Sequence, residues 1–134
     1  MKSKGTRAER ELLHLFWENN VAAMRSAGSG STSRPSPDLL VGTGEKSLAI
    51  ECKSIKSKSK HFNKEEIEQL NLFSELFGAE PIIGMRFDNL GWYFLHTKSI
   101  PKNKNGNYTI TLKLSQEKGI NLQELIGKYK QEKL

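Results

Sequence analysis

Residues 37–53 read Pro-Asp-Leu-Leu-Val-Gly-Thr-Gly-Glu-Lys-Ser-Leu-Ala-Ile-Glu-Cys-Lys, two short apolar runs on either side of a glycine-containing turn. Residues 38–41 and 47–53 have the composition of strands, so we predict a β-hairpin. Side chains alternate between the two faces of a strand, which places Glu51 and Lys53 on one face at the end of the second strand. On its own, such a pair is more typical of a solvent-exposed ion pair than of a catalytic site.

Asp38 changes this interpretation, because it follows Pro37 at the start of the first strand. In a hairpin it would lie opposite Glu51, with the two residues about 4–5 Å apart at the backbone. Two carboxylates at that range are costly unless a cation lies between them, and hard oxygen ligands suit Mg²⁺ or Mn²⁺. We therefore favour a metal site over the alternative in which Asp38 only stabilises its turn.

A third carboxylate precedes the hairpin. Residues 6–9, Thr-Arg-Ala-Glu, fit a capping box in which the side chains of Thr6 and Glu9 satisfy backbone donors at the start of a helix. Apolar residues then recur at helical spacing and predict a helix over 6–19. Glu9 shares the core-facing side of this helix with Leu12. Its role is therefore either that of a capping residue alone or that of a further metal ligand.

The second predicted helix covers residues 64–77. Asn63 or a neighbouring residue is its expected N-cap, and Gly78 is its expected stop. Its apolar face consists of Ile67, Leu70, Phe73, Leu76 and Phe77. Two segments without apolar periodicity flank the predicted hairpin. They are a flexible loop at about 26–37 and a basic, serine-rich loop at about 54–63.

The remaining elements complete a mixed α/β pattern. Further strands are predicted over 21–25, 81–87, 92–95 and, more weakly, 108–114, and a last helix over 121–131. The order αβββαβ, followed by additions, describes a central mixed β-sheet flanked by helices.

The composition limits the function classes. The 134 residues suffice for one domain over 1–134, and there is neither an apolar run long enough to span a membrane nor an apolar signal core. The single cysteine, Cys52, excludes an internal disulfide and a cysteine-based zinc site, and it favours a reducing compartment. The formal net charge of +6 is compatible with a polyanionic partner.

Pro37-Asp38 and Glu51-Cys52-Lys53, preceded by a helical glutamate, resemble the nuclease superfamily named for its PD-(D/E)xK signature. Within it, the sequence is similar to archaeal Holliday junction resolvases of the Hjc type over about residues 4–95. Segments that carry the similarity are 4–10 (Lys-Gly-Thr-Arg-Ala-Glu-Arg), 25–30 (Arg-Ser-Ala-Gly-Ser-Gly), 73–79 (Phe-Ser-Glu-Leu-Phe-Gly-Ala) and 91–94 (Gly-Trp-Tyr-Phe). The resemblance implies a restriction-endonuclease-like fold and homodimeric enzymes that place two symmetric nicks in four-way DNA junctions with Mg²⁺.

The resemblance also assigns roles position by position. Glu9, Asp38 and Glu51 match metal-site carboxylates, and Lys53 matches the catalytic lysine. Ser29 matches a serine of a flexible loop implicated in cleavage, although no histidine–aspartate pair is placed to activate it as a nucleophile. We therefore expect that loop to reorder on DNA.

Basic residues supply the expected DNA contacts. By the resemblance, Arg10 and Arg25 contact DNA and support activity. Candidates for sequence-independent phosphate contacts are Lys2, Lys4, Arg7, Lys56, Lys58, Lys60 and Lys64. Trp92, Phe94 and the apolar residues of the second predicted helix belong either to the core or to a dimer surface.

We predict a Mg²⁺-dependent endodeoxyribonuclease, with Mn²⁺ able to substitute, that resolves Holliday junctions in recombination and repair. Its expected location is the cytoplasm, in association with the nucleoid. Two alternatives remain open. One is a nuclease of the same superfamily that cuts duplex or flap DNA, and the other is a non-catalytic DNA-binding module that keeps the fold and the charge.

Overall fold

The computed structural model describes residues 4–26 and 34–127 of the chain. A 3₁₀ turn, Thr97–Ser99, follows the sixth strand. The helices and strands, in chain order, are α1 (Lys4–Glu18), β1 (Ala22–Arg25), β2 (Leu39–Gly42), β3 (Ser47–Ile55), β4 (Ser59–Phe62), α2 (Lys64–Phe77), β5 (Glu80–Phe87), β6 (Gly91–His96), β7 (Tyr108–Thr111), α3 (Leu112–Lys118) and α4 (Leu122–Leu125).

Five strands form the central sheet in the order β1-β2-β3-β5-β6. β3 and β5 run parallel and are connected through α2, while the other neighbours pair antiparallel. A parallel pair needs such a crossover, since a tight turn can join only antiparallel strands. The predicted central mixed sheet and the order αβββαβ are confirmed, with β4 added before α2.

The two faces of β3 are covered by different helices. Leu48 and Ile50 lie in one buried cluster with Leu12 and Phe16 of α1. Ala49 lies in a second buried cluster, with Ile67 and Leu70 of α2 among its members. This alternation follows from the pleat of the strand. The end of β3 that carries Glu51 and Lys53 therefore lies between the layer of α1 and the layer of α2.

The bounds of α2 agree with the prediction, because local signals define both ends. Asn63 is the N-cap and forms a capping box with Glu66, and Gly78 ends the helix with a φ of 89°. A left-handed residue at this position favours glycine. The predicted apolar face is partly wrong, however. Ile67 and Leu70 are buried, whereas Leu76 and Phe77 are exposed.

Other sequence predictions are corrected as well. α1 begins at Lys4, so Thr6 lies inside the helix and is not the N-cap of a box with Glu9. Within the predicted basic loop at 54–63, β3 extends to Ile55 and Ser59–Phe62 forms β4, which pairs with β7. This strand was not recognised because its partner lies far along the chain, and a polar sequence with one buried residue shows no alternation.

The predicted strand at 108–114 ends early for a local reason. The hydroxyl of Thr111 accepts a hydrogen bond from the backbone N–H of Leu114 at 2.9 Å, which caps α3. Residues 112–114 are therefore helical. Up to residue 127, the predicted last helix is represented by Leu122–Leu125. Residues 128–131 of the predicted range lie outside the described residues. No helix in the described ranges is long and apolar enough to cross a membrane.

Candidate active site

The hairpin places Asp38 beside Glu51, as the sequence predicts. Leu39 pairs with Ile50 in the β2–β3 register, so the next position along brings Asp38 opposite Glu51. Asp38 is only 6% exposed, and its Oδ2 accepts a hydrogen bond from the backbone N–H of Cys52 at 2.8 Å. This bond fixes the carboxylate against the edge of β3.

The surroundings of Glu51 disfavour its charged form. Burial raises the pKa of Glu51 to about 8 from an ordinary value of 4.5, and the negative charge of Asp38 contributes to the rise. The ammonium group of Lys53 acts in the opposite direction, but it does not compensate for the other effects. An added cation would favour the charged form of Glu51, because it would offset the repulsion from Asp38.

Glu9 reaches the same region from α1. Its negative charge adds to the rise in the pKa of Glu51. Its carboxylate is nevertheless occupied, because Oε1 accepts a 2.8 Å hydrogen bond from Nε of Arg25 on β1. Across residues 4–26 and 34–127, no three acidic, histidine or cysteine side chains are arranged to hold a metal ion. The structure therefore brings two of the predicted carboxylates together and pairs the third with an arginine.

Lys53 lies on the same face as Glu51, as predicted, and has contacts from three elements. Its Nζ lies 4.0 Å from Oε2 of Glu51 and 3.7 Å from Oε1 of Glu66 at the start of α2. It also lies 6.0 Å from the centroid of the Phe62 ring on β4. Sequence reasoning missed Glu66 as a site residue. Its spacing from Asn63 identifies a capping box but does not reveal the contact with Lys53.

The predicted DNA-contacting residues occupy several surfaces. Arg7 and Lys56 line an open cavity of about 430 Å³ between α1 and the ends of β3 and β5. Arg10, Lys56 and Lys58 are exposed, and Lys60 is half-buried on β4. The predicted roles of Ser29, Lys2 and the Lys4 side chain fall outside the part of the chain that the structure describes.

The same cavity contains a basic residue that sequence reasoning did not single out. Arg86 on β5 donates from Nε to Oε2 of Glu11 at 2.8 Å, and Nε1 of Trp92 donates to the same oxygen at 2.7 Å. Trp92 also stacks on Phe94, which is 1% exposed. Phe94 therefore belongs to the core, and it is not available for a dimer surface.

The comparisons with known proteins agree with this architecture. A model of the family described as "Archaeal holliday junction resolvase (hjc)" matches residues 1–134. Crossover junction endodeoxyribonuclease Hjc of Archaeoglobus fulgidus is 37% identical over 133 residues, which cover 99% of this chain and 96% of the relative. The protein of the same name from Methanocaldococcus jannaschii is 35% identical over 131 residues, covering 98% and 92%.

A solved structure gives the same result for the fold. Archaeoglobus fulgidus Hjc, described as a Holliday junction resolvase from an archaeal hyperthermophile, superposes with a TM-score of 0.85 at 34% sequence identity. The match covers 94% of this chain and 98% of that one.

Proposed function

The chain belongs to the archaeal Holliday junction resolvase (Hjc) family, and from this premise we propose that it cuts four-way DNA junctions at the edge formed by Asp38, Glu51 and Lys53. It is a hydrolytic endodeoxyribonuclease, like its relatives. The observation that carries the assignment of the site is the pairing of buried Asp38 with half-buried Glu51. Desolvation and the charge of Asp38 together raise the pKa of Glu51 to about 8. We place the whole activity in a single nuclease domain over 1–134.

The family requires a divalent metal ion, and the donor set fits one. Asp38 and Glu51 offer hard carboxylate oxygens, which suit Mg²⁺ and Mn²⁺. We propose Mg²⁺ as the ion, with Mn²⁺ as a substitute. Its proposed ligands are Asp38 and Glu51, with Glu9 as a third that Arg25 would have to release. When bound, such an ion polarises a phosphoryl oxygen and lowers the pKa of a coordinated water.

Lys53 supplies the positive charge that the protein itself brings to the reaction. Hydrolysis forms a bond between a water oxygen and phosphorus and breaks the bond from phosphorus to one sugar oxygen. Negative charge grows on the phosphate oxygens as this happens, and a fixed ammonium group stabilises it. Lys53 shares a face with Glu51, and its Nζ lies 4.0 Å from Oε2 of Glu51. This supports the proposal that the ammonium group stabilises that charge or orients the water.

We propose that arginines and lysines around this edge bind the DNA. Arg10 and Arg25 contact the backbone beside the scissile phosphate. The further proposed phosphate contacts are Lys4, Arg7, Lys56, Lys58 and Lys60. Such contacts position DNA without reading its sequence, so recognition of a junction rests on its shape. Ser29, which lies outside the described residues, is proposed to assist cleavage.

We propose that the enzyme acts as a homodimer. A four-way junction has near-twofold symmetry, and two related active sites would match its two cleavage points. α2 supports this proposal, because it exposes Leu72, Leu76 and Phe77, and Phe77 stacks on Phe73 at 5.4 Å between ring centroids. Clustered exposed apolar side chains of this kind mark interaction surfaces. Work on DNA would place the protein at the nucleoid.

One cleavage assay tests the proposed function. A four-way junction, a flap and a linear duplex that share sequence are incubated with the protein in Mg²⁺ or EDTA. We expect paired nicks in the junction, in Mg²⁺ only. Equal cutting of the linear duplex would instead favour a nuclease of broader specificity. Junction binding without cutting of any substrate in Mg²⁺ or Mn²⁺ would favour a non-catalytic module.

A further inference from the structure

Glu66 uses its two carboxylate oxygens for two different partners. Oε2 accepts a hydrogen bond from the backbone N–H of Asn63 at 3.0 Å, which completes the capping box of α2. Oε1 lies 3.7 Å from Nζ of Lys53. The first contact fixes the side chain at the helix N-terminus, where the helix dipole favours a negative charge. The second contact therefore extends from a well-anchored group.

A fixed partner is needed to hold the ammonium group of Lys53 in one position. A lysine side chain has four rotatable bonds and loses much conformational entropy when its ammonium group is held in one place. Its other carboxylate contact within the described ranges is with Glu51, at 4.0 Å. Glu51 is a proposed metal ligand, so its oxygens are shared with the ion during catalysis. Glu66 is not a proposed metal ligand, so its contact with Lys53 does not compete with the ion.

We infer that Glu66 is a positioning residue, which holds the Lys53 ammonium group over the phosphate-binding edge through a carboxylate fixed by the α2 capping box. This inference rests on the proposed function, in which Lys53 stabilises the reacting phosphate. Glu66 itself touches neither the DNA nor the metal ion in this account.

Glu66→Gln separates the two contacts. A glutamine has one side-chain oxygen, which still accepts the hydrogen bond from Asn63, and its amide carries no charge to attract Lys53. The matched control is Glu124→Gln, because Glu124 forms the equivalent capping box with Asn121 at α4 and has no ion pair with Lys53. Both variants are compared with the unaltered protein in junction binding, cleavage and urea unfolding.

For Glu66→Gln we expect a single-turnover cleavage rate lowered by about tenfold, the usual cost of removing a partner of an active-site group. Junction affinity in Ca²⁺, the Mg²⁺ concentration for half-maximal rate and the urea midpoint should stay near those of Glu124→Gln. A cleavage rate equal to that of Glu124→Gln would overturn the inference. A raised Mg²⁺ requirement would also overturn it, since Glu66 would then act at the metal.

A double-mutant cycle gives the decisive readout. In a Lys53→Ala background, Glu66→Gln should cause no further loss of rate, because the group that it positions is absent. A loss as large as that in the unaltered protein would show that Glu66 acts through something other than Lys53, and the inference would be wrong. If the unaltered protein does not cut junctions, the proposed function fails and the inference fails with it. Cutting that is insensitive to Glu66→Gln removes the inference alone.

Discussion

Arg25 on β1 donates from Nε to Oε1 of Glu9 on α1 at 2.8 Å, and both side chains are largely buried. The pair joins a residue proposed to contact DNA to one proposed to bind the metal ion. A charge-assisted hydrogen bond of this length is strong. The arginine therefore compensates the charge of Glu9 in the structure described. In the proposed function, DNA phosphates would compete with Glu9 for Arg25.

Replacement of Arg25 by alanine should weaken junction binding and reduce the slope of log affinity against log salt by about one, because a phosphate contact is lost. Binding is measured by fluorescence anisotropy in Ca²⁺ at several salt concentrations. Lys113→Ala, which removes an exposed lysine of α3, is the control. An unchanged slope in Arg25→Ala would mean that Arg25 only holds Glu9.

Asp38→Asn should lower the cleavage rate by at least about a hundredfold, because a metal ligand and its charge are lost. The fold should survive, since the asparagine oxygen can still accept the hydrogen bond from the Cys52 N–H. Rates are measured in Mg²⁺ and junction affinity in Ca²⁺. If binding falls as much as cleavage, Asp38 is not a metal ligand but a structural residue.

The raised pKa of Glu51 predicts a pH dependence of stability without metal. Folded Glu51 keeps its proton up to about pH 8, whereas the unfolded side chain loses it above about 4.5. The unfolded state therefore binds fewer protons between these values, and the free energy of unfolding falls as the pH rises. Below this window the contribution of Glu51 does not change with pH, and above it the loss is complete.

Urea unfolding in EDTA at several pH values measures this effect. Glu51→Gln should flatten the fall between pH 5 and about 8, because glutamine does not titrate. Mg²⁺ should raise the stability of the unaltered protein most at the alkaline end, because Glu51 binds the ion in its ionised form and protons compete least there. If Glu51→Gln and the unaltered protein had the same pH profile, the pKa of Glu51 would not be raised in the folded protein.

Leu76→Asp should convert the proposed dimer to a monomer with little change in the stability of the fold, because Leu76 is 80% exposed. Analytical ultracentrifugation gives the oligomeric state. Leu90→Asp removes another exposed leucine, in the turn between β5 and β6, and serves as the control. If Leu76→Asp stays dimeric, the dimer surface does not include this part of α2.

The monomeric variant should also lose coordination between the two nicks. A supercoiled plasmid with an extruded cruciform distinguishes the outcomes, since paired cuts give a linear product and independent cuts give a nicked circle first. Leu90→Asp should give the linear product. Linear product at the normal rate from monomeric Leu76→Asp would show that pairing does not depend on dimerisation.

Short-range signals were enough to predict much of the architecture. The hairpin register brought Asp38 opposite Glu51, and strand alternation placed Lys53 on the face of Glu51. The ends of α2 followed from Asn63 and Gly78. In each case a few neighbouring residues set the backbone conformation, so the information lies within one stretch of chain.

Other features arise from contacts between segments that are distant in the chain. The polar sequence of β4 becomes a strand because it pairs with β7. Packing also decides that Leu76 is exposed, that Glu9 pairs with Arg25 and that Glu66 reaches Lys53. Periodicity and turn chemistry report which residues can share a face, but they do not report which faces meet. That choice depends on how the helices bury the two sides of the sheet.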